Sequence, residues 1–170
     1  MLKFIHGADF HLDSAFAALP PRQAAARRRE SRELPQRLAN YVNQNSIELV
    51  LLAGDLFDSA SAYRDTAESL SAALGQMAAQ VYIAPGNHDW YGPGSPYLTV
   101  QWPDNVHIFT QPHLEAMAWP EKRLVLHGAA FTASEQSAGF LSGFAAPKDS
   151  NLHIGLLHGE IDPAEARYDP

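Results

Sequence analysis

Apolar positions along this chain fall into two patterns. Short, nearly unbroken runs at Leu2–Ala8, Ile47–Ala53, Val81–Ala84 and Leu152–Leu157 predict strands, with 47–53 buried on both faces. Between them apolar residues recur at helical spacing. Leu34, Leu38, Tyr41 and Val42 mark the inner face of a helix over Pro21–Asn45, opened by a proline at its first position. Leu70, Ala73 and Leu74 mark that of a second helix over Thr66–Met77. The first half therefore reads β-α-β-α-β. Shorter stretches at Asn105–Thr110, Leu114–Ala118 and Arg123–Ala130 read as strands of a second sheet, and 12–21, 90–103 and 132–150 as loops. The tail Ile161–Pro170, with Asp162, Glu165 and Asp169, reads as the opening of a longer loop.

Composition narrows the class. The 170 residues, 46% hydrophobic and 18% charged, suit one globular domain with a core. The absence of cysteine removes disulfides, thiolate metal sites and cysteine nucleophiles. Met1–Leu12 is too short and polar for a signal peptide, and no apolar run spans a bilayer, so a cytoplasmic protein without a membrane partner is expected. The net charge of −7 is unlike that of a chain gripping nucleic acid by its own surface; bound cations or a partner would have to offset it. Arg22, Arg27, Arg28, Arg29, Arg32 and Arg37 crowd the first helix, where pairing with Glu30 and Glu33 is expected over a phosphate-binding face.

The candidate chemistry sits at strand ends. Asp9 and His11 follow the first strand, Gly54-Asp55 the second, Gly86-Asn87-His88-Asp89 the third and His158 the last. In extended chain, residues two apart point the same way, so Asp9 and His11 would aim at one point. Parallel strands joined by right-handed crossovers bring these ends to one edge, where open α/β sheets hold ligands. Asp9, His11, Asp55, Asn87 and His158 mix oxygen and nitrogen donors, which suits Mn, Fe or Zn over Mg or Ca. So many ligands suit two cations, with the central Asp55 the candidate bridge. Two cations about 3.5–4 Å apart can hold water as hydroxide for in-line attack on phosphorus. His88 is the candidate general acid for the leaving oxygen, with Asp89 orienting it. Asp58 is expected to cap a helix or support a loop. Tyr91, Tyr97 and Trp102 are candidate base-stacking rings but more ordinary as core cover, and His107, His113 and His127 read as packing or surface residues, with His153 at the wrong end of its strand for the site.

D-x-H, G-D, G-N-H-D and the later strand-end histidine together resemble the calcineurin-like metallophosphoesterases. Ala8–Ser14, Ala53–Asp58 and Trp102–His107 look more narrowly like the SbcD-type DNA-repair exonucleases. The resemblance implies a two-sheet α/β sandwich flanked by helices, over a nuclease domain spanning 1–170. It implies that Asp9 and His11 hold one metal, that Asn87 and His158 hold the other, and that Asp55 bridges. Two Mn²⁺ ions are the implied cofactors, with Fe or Zn as alternatives. DNA is the implied substrate and an SbcC-type coiled-coil ATPase the implied partner, with a homodimer left open. The family carries a further G-H-x-H motif and a capping domain. Neither precedes Pro170, so a C-terminally truncated fragment is expected, with a natural short form as the alternative and weakened metal binding in either case. Two other functions stay open: a small-molecule phosphoesterase acting on cyclic nucleotides, and a non-catalytic scaffold.

Overall fold

Val50 and Leu52 turn to one side of the second strand, Leu49 and Leu51 to the other, and all four are buried. That alternation sets the layers of the molecule. A computed structural model describes residues 1–136 and 139–159. Its first sheet is wholly parallel, in the order β1 (Phe4–Gly7), β2 (Leu49–Leu52), β3 (Gln80–Ile83) and β4 (Val106–Ile108). Helices α1 (Pro21–Gln44) and α2 (Arg64–Gly75) cover one face, where Val50, Leu52, Val81 and Ile83 meet Ala39, Val42, Leu70 and Leu74. On the opposite face Leu49, Leu51 and Tyr82 meet Leu124, Leu126 and Leu156 of a second sheet. That sheet has the order β5 (Glu115–Trp119), β6 (Leu124–Gly128) and β7 (Leu152–Leu156), with β5 antiparallel and β7 parallel to β6.

The expected β-α-β-α-β unit and both long helices are present. Three expectations change. The stretch at 105–110 does not join the second sheet; β4 extends the first one, with Val81 N–H donating to Asn105 O and Phe109 N–H to Ile83 O. The segment 90–103, expected to be plain loop, holds the one-turn helix α3 (Pro96–Thr99) and is the crossover that makes β4 parallel. Asn105 then closes the end of α2, its Nδ2 donating to the carbonyls of Leu74, Met77 and Ala79. The last strand was expected to be buried. It lies beside β6 alone among the described residues, with Leu152 exposed and Leu156 buried. The tail 161–170, with Asp162, Glu165 and Asp169, lies outside the described residues.

The buried face of α1 also differs from the expected stripe. Ala24, Pro35, Ala39 and Val42 are buried and Leu38 half-buried, but Leu34 and Tyr41 are exposed. Pro35, inside the helix, is part of the inward face, so the buried seam of α1 is made of small and compact side chains. Val42→Ala should therefore lower stability by about 2 kcal/mol, whereas Tyr41→Ala should change it by less than about 0.5 kcal/mol. Urea denaturation of the two variants measures this, and the reverse ranking would refute the assigned face.

Candidate metal centre

The loop after β1 runs alongside the loop after β2. Asp9 N–H donates to Gly54 O (3.1 Å), His11 N–H to Asp55 O (3.0 Å) and Leu12 N–H to Leu56 O (2.9 Å); Asp58 N–H returns to Leu12 O (2.9 Å). The pairing of β1 with β2 thus continues past the strand ends in a distorted form. Asp9, His11 and Asp55 all have positive φ, at 56°, 42° and 51°. Each such residue costs about 1 kcal/mol or more, and persists only where its surroundings hold it. The extended geometry expected for Asp9-x-His11 is therefore not what aligns these two. Left-handed turns bring His11 Nε2 to 3.9 Å from both Asp9 Oδ1 and Asp55 Oδ2.

Close packing of the second and third loops needs two glycines. Gly54 has φ +76°, and a Cβ there would lie 2.8 Å from Gly86 Cα and from His158 Nδ1. A Cβ on Gly86 would collide with Asp55 Oδ1.

The two imidazoles are aimed by their far nitrogens. His11 Nδ1 lies 3.1 Å from Asp58 Oδ1, and His158 Nδ1 lies 2.8 Å from Ala53 O. Carboxylate and carbonyl oxygens only accept, so each Nδ1 has a partner for its proton, and in that neutral tautomer each Nε2 would offer its lone pair to a cation in the cleft. His158 Nε2 sits 3.1 Å from Asn87 Oδ1 and 3.5 Å from Asp55 Oδ2. Asp55, buried, thus faces both histidines through Oδ2, while its Oδ1 accepts His88 N–H (3.0 Å). Lone pairs of two nitrogens and of Asp9, Asp55 and Asn87 oxygens converge, a donor set that repels itself and attracts cations. Two ligand atoms each about 2.0–2.2 Å from one ion lie at most about 4.4 Å apart, and every separation above fits.

All five expected ligands are therefore brought together, and the sixth expected side chain, His88, stands over them. Its ring is exposed and meets that of His11 edge-on, 5.0 Å between centroids. His88 Nδ1 lies 3.2 Å from Asp58 O, and His88 lines the cleft. The cleft encloses about 380 Å³, and His6, not singled out in the sequence, lines it too.

Asp89 corrects its expected role. It does not orient His88. It is fully buried, and its oxygens accept the N–H groups of Gly86 (2.8 Å), Asp55 (3.1 Å), Leu56 (2.8 Å) and Phe57 (3.3 Å) and the hydroxyl of Tyr97 (2.6 Å). Burial pushes its carboxyl group upward in pKa, opposed by the Tyr97 hydroxyl and by the Gly86 and Leu56 amides. Burial, reinforced by the charge of Asp89, holds the Tyr97 phenol well above its usual range, so it stays a donor. The orienting contact to His88 comes from Asp58 O instead.

Sequence reasoning missed Tyr97 as the partner of Asp89 and Asp58 as the carboxylate behind His11. The spacing G-D-x-x-D was the available signal for Asp58; no local signal marks Tyr97. Tyr97 is buried beside Trp102, 5.8 Å between ring centroids, and Tyr91 and Trp102 pack against the same core, so none of the three is presented for base stacking. The remaining histidines lie elsewhere. His107 stacks on Tyr82 (4.7 Å), His113 is exposed, and His127 Nε2 lies 2.8 Å from His153 Nδ1 on the second sheet.

The sequence model of the family described as calcineurin-like phosphoesterase matches residues 2–167. A relative in Bacillus subtilis (strain 168), named uncharacterized metallophosphoesterase YhaO, is 32% identical over 184 aligned residues. The alignment covers 99% of this chain and 43% of the relative, so the chain spans less than half of that protein's length.

The contrast between Asp89 and His88 is measurable. Asp89→Ala leaves several buried donors without an acceptor and should cost about 3 kcal/mol or more, whereas His88→Ala should cost less than about 1 kcal/mol. Urea denaturation of both variants reads it, and equal effects would restore a purely orienting role for Asp89.

Proposed function

The chain belongs to the calcineurin-like phosphoesterases, and from that premise we propose that it carries the centre of a two-cation phosphodiester hydrolase acting on DNA. The observation that supports this reading most is the convergence of the His11 and His158 Nε2 atoms with Asp55 Oδ2 at 3.9 and 3.5 Å. Asp9, His11 and Asp55 would hold one cation, and Asp55, Asn87 and His158 the other. The mixed nitrogen and oxygen set favours Mn²⁺, with Fe or Zn as close competitors. Such ions, when bound, stabilise charge on the phosphoryl oxygens and make water nucleophilic at neutral pH.

The protein's own residues supply the rest. The Asp58 carboxylate steadies the His11 ring, and the Ala53 carbonyl steadies that of His158. His88, which lines the cleft with Nδ1 held by Asp58 O, would pass a proton to the leaving oxygen. The narrower likeness of Ala8–Ser14 and Ala53–Asp58 to the SbcD-type exonucleases favours a DNA strand as substrate and an SbcC-type ATPase as partner. A small-molecule substrate is the second reading, favoured by the net charge of −7.

Leaving-group dependence tests the assignment. With Mn²⁺, hydrolysis of bis(4-nitrophenyl) phosphate should be lost on chelation and on Asp55→Ala. His88→Gln should slow that activated ester little, because nitrophenolate leaves without a proton. It should slow cleavage of an unactivated DNA phosphodiester by about 10²–10⁴-fold. Equal losses on both substrates would remove His88 from the acid role. Turnover of a cyclic nucleotide but not of single-stranded DNA would favour the second reading.

A further inference from the structure

Five of the six arginines of α1 separate into two sets. Arg27 pairs with Glu30 at 2.8 Å, and Glu33 takes both Arg29 (3.6 Å) and Arg37 (2.6 Å). Arg28 and Arg32, one helical turn apart, form no ion pair among the described residues; Arg28 donates only to the carbonyl of Ala15 (2.8 Å). Like charges four residues apart repel, so this face is the one an anion would relieve.

Both arginines line a groove between α1, the loop after His11 and the start of α2. It comprises a cavity of about 570 Å³ and an adjoining one of about 280 Å³, which share Asp13, Arg32 and Tyr63. Two carboxylates also line this groove and keep their charge while accepting from neutral donors: Asp13 accepts Tyr63 N–H (3.2 Å) and Thr66 Oγ1–H (2.8 Å). Asp65 accepts Thr66 N–H (3.0 Å). Ser31 Oγ, in the wall of the smaller cavity, is buried without a partner. Tyr63 stands 71% exposed at the rim, where an aromatic face can stack on a base. The groove begins at Leu12 and Asp13, so it lies within about 7 Å of chain from His11.

We propose that this groove holds the phosphates of a single nucleic-acid strand next to the phosphodiester at the metal centre, gripped by Arg28 and Arg32. Guanidinium forks match phosphate oxygens bidentately, and two of them one turn apart can serve successive phosphates. The inference rests on the phosphodiesterase reading above and deepens it: a cyclic nucleotide, with one phosphate, would have no use for this second anion site. It also reconciles a strand substrate with an acidic chain, because in the smaller cavity two arginines face a single carboxylate, that of Asp13.

The test is binding of a short labelled phosphorothioate DNA strand in Mn²⁺, followed by fluorescence anisotropy across a salt series. Arg28→Gln with Arg32→Gln should weaken binding about tenfold and make the slope of log K against log salt shallower by about 1.4, two single-strand contacts at about 0.7 each. Arg28→Lys with Arg32→Lys keeps the charges and should keep the slope. Arg27→Gln with Arg29→Gln removes the same charge from the paired face and should change the slope little. No binding by the unaltered chain, an unchanged slope in the first variant, or an equal loss in the third, would overturn the proposal. Turnover of bis(4-nitrophenyl) phosphate by the unaltered chain is a separate reading: its absence would sink the hydrolase assignment while the slopes still decide the groove.

Discussion

A single buried carboxylate ties the strand-end loops into one body. Parallel strands stop with their peptide groups unpaired, and three loops meeting at one edge leave several N–H groups with no ladder to join. Asp89 collects four of them, three from the loop after β2 and one from the loop after β3, and takes the Tyr97 hydroxyl besides. Burying a charge is costly unless such donors surround it, and here they do. The consequence reaches the chemistry through one residue. Asp55 N–H is held by Asp89, so the Asp55 backbone has one place to be, and its carboxylate must then face His11 and His158.

That placement is strained, and the strain is concentrated. Asp9, His11 and Asp55 have left-handed backbones, and the two glycines between the second and third loops admit contacts that a Cβ would forbid. Isolated loops would relax out of these conformations. They are kept by bonds to one another: the D-x-H segment against Gly54, Asp55 and Leu56, and the last two of these against Asp89. Preorganisation of this kind matters where like-charged oxygens and imidazole lone pairs must stay close before any cation arrives.

Most of the fold was legible in the sequence because its central strands are unambiguous: Leu49–Leu52 is apolar at every position, and the flanking helices carry a 3.6-residue period. The gathering of Asp9, His11, Asp55, Asn87 and His158 in one cleft was legible too, since strand ends carrying Asp, Asn and His are unusual as plain turns. What stayed hidden was long-range partnership. Asp89 follows His88 directly, so proximity suggested that it served that ring. Three of its five partners lie 32 to 34 residues back, in the loop after β2. Tyr97 sat in a Gly- and Pro-rich stretch that gave no sign of burial. Adjacent residues in a tight turn point apart, so His88 reaches the cleft and Asp89 the core. Leu34 and Tyr41 misled for another reason: the buried seam of α1 is built on Ala39, Pro35 and Val42, and large apolar residues beside it remain at the surface.

The two halves of the candidate metal centre ride on different sheets. Asp55 and Asn87 leave strands of the first sheet, whereas His158 follows β7 of the second. The separation of His158 from Asp55 and Asn87 is therefore set by how the sheets pack, through Leu49, Leu51 and Tyr82 against Leu124, Leu126 and Leu156. Close-packed interiors do not absorb a change of volume locally; they pass it on as displacement. The Ala53 carbonyl that steadies His158 belongs to the first sheet's loop, so the imidazole spans the seam and registers any shift across it. An ion held by nitrogen from one sheet and oxygen from the other would in turn clamp that seam, coupling occupancy of the site to the stability of the whole sandwich. Packing far from the cleft and chemistry within it are thus one constraint, exerted through a single side chain.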